Sequence, residues 1–260
     1  MNFLKRIPRI FERKQKINYT CEGCGKEVFS EGYFCKDCFA NLPWNVGPYC
    51  PLCGRAGKED GVCLECKEKR LFADRARSVW THGEMTATIV SRLKNGAKYL
   101  RFLCAEQLEE CYLSHFTGTD LLAFVPMTKG AEKRRGYNQS RLLAEELSGR
   151  VGVPLYDGVI KQRETDAQKI LSRREREENL RGCFHVVKRK ELRGKTVLII
   201  DDTLTTGSTV SELSYTLKRA GAKEVNVLTL TSVPRKPIVK KAPKQDESVH
   251  THQDETPTGL

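Results

Sequence analysis

The sequence predicts an α/β protein built on a parallel sheet and preceded by a small cysteine-rich metal-binding module. Three observations carry this. Beyond residue 70, apolar runs of strand length alternate with segments of helical period. One of these runs opens "VLIIDDTLTTGST", residues 197–209, where four aliphatic residues lead into two adjacent aspartates and a hydroxyl-rich loop. Before residue 70, eight of the eleven cysteines fall into four CxxC pairs.

The 260 residues leave room for one main domain of about 150 residues and something smaller. Composition divides the chain into a basic leader (1–18), the cysteine module (19–70), the sheet domain (71–233) and a tail (234–260). The tail, "PRKPIVKKAPKQDESVHTHQDETPTGL", is rich in proline and charge and is expected to be disordered. With 45 basic and 33 acidic residues the formal net charge is +12, which suits an anionic partner: phosphates, nucleic acid or an acidic membrane surface. No apolar window of about 18 residues exists, so no transmembrane helix is indicated. The start, "MNFLKRIPRIFERKQK", lacks the continuous apolar stretch of a signal peptide.

Cysteines in a chain of this kind are expected to be reduced and cytoplasmic, holding metal rather than disulfides. The pairs are Cys21/Cys24, Cys35/Cys38, Cys50/Cys53 and Cys63/Cys66, and "CEGCGKEVFSEGYFCKDC" and "CPLCGRAGKEDGVCLEC" are two copies of one unit. Four thiolates around a tetrahedral ion make a closed structural site, and zinc is the common occupant, with iron as the alternative. Sequential sets follow the repeat; interleaved sets are the other arrangement the spacing allows. Each unit is too short to bury a core, so metal binding would supply its folding energy. A Cys53→Ser change is therefore expected to unfold this module locally and leave the sheet domain folded. Cys104, Cys111 and Cys183 are isolated and read as ordinary partly buried thiols.

In chain order, "SVWTH" reads as a strand, "EMTATIVSRLKNG" as a helix stopped at Asn95-Gly96, "YLRFLCAEQLEECYLSHF" as a second helix and "LLAFVP" as a strand ended by Pro126. "NQSRLLAEELSGRVG" is a helix, "PLYDGVI" a short strand, "STVSELSYTLKRAGA" a helix with Val210, Leu213 and Leu217 on one face, and "EVNVLTLTSV" the last strand. The run before Asp201 and Asp202 reads as a strand buried on both faces, with the carboxylates at its C-terminal end. Open α/β sheets bind ligands there, and the loop that follows offers N–H groups and hydroxyls at a helix start, which suits a phosphate. Two acids beside a phosphate cradle suit a phosphorylated ribose. No GxxxxGK[ST] or GxGxxG occurs, which disfavours a P-loop ATPase or a dinucleotide enzyme. The five histidines form no constellation. Trp44, Trp80, Tyr99 and Tyr137 read as packing residues, and no interleaved aromatic and basic pattern for stacking bases is visible.

"VLIIDDTLTTGST" resembles the phosphoribosyl-pyrophosphate (PRPP) signature of type I phosphoribosyltransferases. "VPMTKGAEKRRGYNQS", with its string Arg135-Gly136-Tyr137-Asn138-Gln139, and "RETDAQKILSRREREENLRGCF" are similar to stretches of the ComF family, as are the CxxC pairs to its double zinc ribbon. The resemblance covers roughly residues 20 to 232. It implies that Asp201 and Asp202 accept hydrogen bonds from the ribose hydroxyls and that Thr205, Thr206, Gly207, Ser208 and Thr209 hold the 5′-phosphate. Lys129 and Arg135 would face the pyrophosphate from a loop after Pro126, and residues 163–184 would form a mobile lid. Mg²⁺ is implied by the pyrophosphate. For "SRREREEN" a salt-bridged surface helix is as compatible as a lid. The resemblance also implies a role in bringing single-stranded DNA into the cytoplasm during natural transformation, at or near the inner face of the membrane. The alternatives are a PRPP-dependent transferase with an unknown base or nucleotide acceptor, and a zinc-ribbon scaffold docking a partner such as the competence translocase.

Overall fold

The structure, a computed structural model, describes residues 17–57, 61–68, 71–163 and 178–234. The tail from 235, the leader up to 16 and lid residues 164–177 lie outside the described residues.

Four strands form a fully parallel sheet in the order β3-β8-β7-β4: β3 (Arg75–Thr81), β8 (Glu224–Ser232), β7 (Thr196–Leu204) and β4 (Leu121–Phe124). The aliphatic run of β7 is buried on both faces, as its composition requires. Val197 and Ile199 pack with Val225, Val227 and one helix, α8 (Ser208–Arg219), while Leu198 and Ile200 pack with Leu228 and Leu230 on the other face. That second face is covered by α3 (Glu84–Lys94), α4 (Leu100–His115) and α6 (Gln139–Val151), so the domain has three layers. A separate antiparallel pair joins β5 (Val159–Lys161) to β6 (Phe184–Val186), which leads through the short helix α7 (Arg189–Leu192) to β7. It pins the two ends of the expected lid, and Gly182 N–H donates to Glu212 on α8 at 2.8 Å.

Two elements differ from the sequence reading. The segment "KGAEKRR", expected as a loop, is a short helix, α5 (Lys129–Arg135), capped by the Thr128 hydroxyl, which accepts from Ala131 N–H at 3.2 Å. It buries no residue, so it has no apolar period to read. β7 also runs two residues beyond the acids, to Leu204. The acids instead mark where β4 stops: Phe124 pairs with Ile200, while β8 continues alongside β7 to Ser232. Asp201 and Asp202 thus stand at a step in the sheet, with one edge open toward α6.

The cysteine module is two units in contact with this domain. In the first, β1 (Ile17–Thr20) and β2 (Glu27–Glu31) form an antiparallel hairpin, and Cys35 caps the short helix α1 (Lys36–Ala40). In the second, Cys63 leads into α2 (Leu64–Glu68). The second unit extends the sheet at its β3 edge. Ala76 N–H donates to Leu52 O at 2.9 Å, and Asn45 Nδ2 donates to Gly54 O at 2.9 Å and Ser78 O at 3.1 Å. Gly54 has φ +68°, and a Cβ there would stand 2.0 Å from Ala76 O, so no other residue allows this approach of two backbones. Cys50, Cys53, Cys63 and Cys66 belong to the same buried cluster as Ala76, Ile199 and Leu213. The expectation that this unit unfolds alone is accordingly replaced: its thiols are part of the sheet domain's core.

Candidate functional site

The acid pair is organised from behind by residues on α3 and α6. Asp202 is 4% exposed; Lys94 Nζ, at the end of α3, lies 2.8 Å from its Oδ1, and Gln139 Nε2 donates to its Oδ2 at 2.7 Å. Ser140 Oγ donates to Asp201 Oδ1 at 2.7 Å, and the same oxygen accepts from Asp202 N–H at 2.9 Å. Burial pushes the Asp201 carboxyl up to about 7, with the neighbouring Asp202 charge adding to it.

The string Arg135 to Ser140 is the device that presents these donors. Gly136 takes φ +84° to end α5, and Asn138 begins α6 by accepting from Ser140 N–H at 3.0 Å and donating to Val125 O at 3.0 Å. Gln139 and Ser140, the next residues, then point their polar ends at the acids. Arg135 Nη1 donates to Gln139 Oε1 at 2.6 Å, so Arg135 joins the site through Gln139. Tyr137 is buried and donates to Leu93 O while its oxygen accepts from Gly96 N–H at 2.8 Å, which ties the end of α3, and with it Lys94, to this turn. Tyr137 is therefore a packing residue. Lys129 is exposed at the first position of α5.

Loop 205–209 follows. Gly207 takes φ +77° as the N-cap of α8, and Thr206 Oγ1 and Ser208 Oγ lie 2.9 Å apart. A Cβ at 207 would meet Leu71 Cδ2 at 2.6 Å, so the chain leaving the second cysteine unit buttresses the loop. Thr205 is exposed and Thr206, Ser208 and Thr209 are half-buried, an open cradle of N–H and O–H donors at the start of a helix of twelve residues. Lys94, Gln139 and Ser140 were not marked as site residues from the sequence. The signal for Gln139 and Ser140 is burial of a polar pair on the first turn of α6, and for Lys94 its meeting with Asp202 from α3; both need the fold to be seen.

The cysteines gather sequentially: Cys21, Cys24, Cys35 and Cys38 in one set and Cys50, Cys53, Cys63 and Cys66 in the other, with all sulfurs of a set within 4.8 Å of one another. Tetrahedral Zn–S bonds of about 2.3 Å put sulfurs about 3.8 Å apart, against 3.9 Å for Cys24–Cys35 and 3.8 Å for Cys53–Cys63. Backbone N–H groups already point at sulfur: Cys35 N–H to Cys21 at 3.2 Å and Cys63 N–H to Cys50 at 3.5 Å. In the second set the buried Arg55 donates to Cys53 Sγ at 3.4 Å and pairs with Glu65 at 2.5 Å. A guanidinium there offsets the surplus negative charge of four thiolates on a divalent ion. The donor sets fit structural zinc.

Asp201 carries a pH signature. Its native value lies above the ordinary 3.8, so the native state holds its proton more tightly than the unfolded chain does. The stability this brings is complete below pH 3.8 and is lost as pH rises to about 7. Asp201→Asn keeps the acceptor for Ser140 and removes the charge. It should raise stability by on the order of 2–4 kcal/mol at pH 8 and by much less at pH 4. Thermal melts at the two pH values check this; an equal shift at both would contradict it.

Comparison with known proteins agrees with this architecture. The phosphoribosyl transferase domain model matches residues 137–256 and the double zinc ribbon domain model residues 18–67. Competence protein F of Haemophilus influenzae is 26% identical over 220 residues, covering 81% of this chain and 89% of that protein. Competence protein ComFC of Bacillus subtilis is 29% identical over 212 residues (75% and 82%). DNA utilization protein YhgH of Escherichia coli is 30% identical over 189 residues (70% and 82%). With its parallel-sheet phosphoribosyltransferase fold and its double zinc ribbon, the chain belongs to the ComF family of competence and DNA utilization proteins.

Proposed function

We propose that the chain binds PRPP, or a closely related phosphorylated ribose, at Asp201, Asp202 and loop 205–209. We infer further that it assists the entry of single-stranded DNA into the cytoplasm during natural transformation. The observation that carries the first part is the pair of carboxylates held from behind by Lys94, Gln139 and Ser140 beside a helix-capping loop of hydroxyls. Among the described residues both bonds to the Asp201 carboxylate converge on Oδ1, and Oδ2 is the oxygen we assign to a ribose hydroxyl. Asp202 would take the second hydroxyl by releasing Lys94, whose flexible stem lets the ammonium turn toward the pyrophosphate together with Lys129 and Arg135. Thr205, Thr206, Ser208 and Thr209 would hold the 5′-phosphate at the α8 terminus. Mg²⁺ bound with the ligand would neutralise pyrophosphate charge. The chain's own contribution is positioning, which is what ribosyl transfer through an oxocarbenium-like state requires. Replacing both aspartates with Asn should weaken Mg²⁺–PRPP binding more than about tenfold. Unchanged affinity in titration calorimetry would place the sugar elsewhere, and pyrophosphate release with candidate bases or single-stranded DNA would establish turnover.

The DNA role is supported by the names of the relatives and by the charge of +12. Among the described residues no helix is long and apolar enough to cross a membrane; we assign the chain to the cytoplasm, working at the inner membrane face, where a translocase is the fitting protein partner. Basic residues cluster in sequence at Lys5–Lys16, Lys129–Arg141 and Lys188–Lys195. Affinity for single-stranded DNA should fall with salt at a log–log slope of about −0.7 per phosphate neutralised. Because Lys129 and Arg135 serve both ligands in this reading, saturating Mg²⁺–PRPP should weaken DNA binding at constant ionic strength. Anisotropy of a labelled oligonucleotide reads both effects; a salt-independent affinity would leave the positive charge to another partner.

A further inference from the structure

Two exposed aromatic rings from distant parts of the chain meet beside α8. Phe72 is 50% exposed and Tyr215 is 37% exposed, their centroids 4.9 Å apart at 51°. Exposed apolar side chains are common singly. Here the pair is accompanied by a cation: the Arg219 guanidinium lies 5.7 Å from the Tyr215 centroid, and Nη1 donates to the Tyr215 hydroxyl at 3.1 Å. Ser211, Tyr215 and Arg219 recur at four-residue spacing, so they form one stripe along α8. The stripe is fixed at its near end, where Phe72 N–H donates to Ser211 Oγ at 3.0 Å. Leu71, the preceding residue, is the side chain that packs over Gly207. The stripe therefore begins at Ser211, one turn beyond the phosphate loop, and the Tyr215 ring stands about two helical turns beyond it. In sequence Phe72 is flanked by Lys67, Lys69, Arg70 and Arg75.

Aromatic faces with stacked guanidinium groups, set among cations, are how proteins hold single strands without reading their sequence. We propose that Phe72, Tyr215 and Arg219 form a stacking platform for successive bases of single-stranded DNA. This rests on the DNA reading above and deepens it. The sequence showed no interleaved aromatic and basic pattern because the two rings are brought together only by the docking of the second ribbon's exit segment on α8. A platform of this kind tolerates any base, and its closeness to the phosphate loop puts a seated strand next to bound PRPP.

The test compares two labelled oligonucleotides of equal length, one of thymidylates and one abasic, by fluorescence anisotropy on the full zinc-loaded chain at fixed low salt. The abasic strand has a backbone and no ring to stack. The wild-type protein should prefer the thymidylate strand by more than roughly tenfold, and the ratio of the two affinities should fall at least roughly fivefold in Phe72→Ala and in Tyr215→Ala. Phe72→Trp should retain the ratio, which separates lost stacking from lost folding. A ratio near one in the wild-type protein, or a ratio unmoved in both alanine variants, would overturn the platform while leaving DNA binding intact. Failure of the wild-type protein to bind either strand would overturn the DNA reading and the platform with it.

Discussion

Lys94→Met should destabilise the chain by about 3 kcal/mol, the largest loss of stability expected of a single change outside the cysteine sets. The ammonium sits 2.8 Å from Asp202 Oδ1, and Asp202 is buried at 4% exposure between β7 and α6. Removing the cation leaves a buried carboxylate held, among the described residues, by Gln139 and facing the adjacent Asp201. Breaking one partner of a buried pair costs about 3–5 kcal/mol. The Lys94 side chain is 32% exposed, so water reaches the ammonium and the lower end of that range applies. For a sheet domain of this size the change corresponds to a drop in Tm of roughly 6–12 °C. Adding Asp202→Asn to the variant removes the uncompensated charge and should restore most of the loss, so the double-mutant cycle gives a coupling of opposite sign to the first loss. A Lys94→Met protein as stable as wild type at neutral pH would show that Lys94 does not carry the acid pair.

Cys53→Ser should abolish cooperative folding of the sheet domain, whereas Cys24→Ser should leave it nearly intact. The two cysteines belong to equivalent positions of the repeat but to different surroundings. Cys53 is 1% exposed and shares a cluster with Ala76, Ile199 and Val227. Its unit also supplies the backbone partners of the β3 edge, through Leu52, Asn45 and Gly54. Cys24 is exposed, and its unit touches the domain through side chains, with Glu22 against Arg92 at 2.9 Å and Tyr33 and Phe34 only partly buried against the core. Structural zinc supplies about 10–16 kcal/mol in small zinc modules, so losing the second ion removes more than a domain of ordinary stability can spare. Elemental analysis should give two zinc ions in the wild-type protein and one in each variant. Fluorescence of the buried Trp80 should show an early, broad transition for Cys53→Ser and a nearly normal one for Cys24→Ser. Matching transitions in the two variants would mean that the second unit is as separable as the first.

The parts of the fold visible in the sequence are those that local pattern encodes. Val197 to Ile200 announce burial on both faces, Val210, Leu213 and Leu217 one face of a helix, and the CxxC repeat its two thiol sets. Asp201 and Asp202 stood out because nothing in a buried strand needs two adjacent carboxylates. What pairs with them did not stand out. Lys94 lies more than a hundred residues upstream of Asp202, and Gln139 is separated from it by 63 positions. Periodicity reports which face is buried and carries no information on which polar side chains meet. The same holds for Gly54, whose role depends on the carbonyl of Ala76, and for Phe72 and Tyr215. Helix α5 was read as a loop for the converse reason: with Thr128 as its cap and no residue buried, it is specified by its ends and not by a stripe.

The most direct measurement is titration calorimetry of the full chain with Mg²⁺–PRPP, run beside ribose 5-phosphate and pyrophosphate as separate ligands. A ligand held at both the acid pair and loop 205–209 should saturate one site per chain, bind more tightly than either fragment, and lose its advantage over ribose 5-phosphate in Lys129→Ala with Arg135→Ala. Equal affinity for PRPP and free pyrophosphate, or no saturable binding at millimolar ligand, would contradict a phosphorylated-ribose site at Asp201 and Asp202.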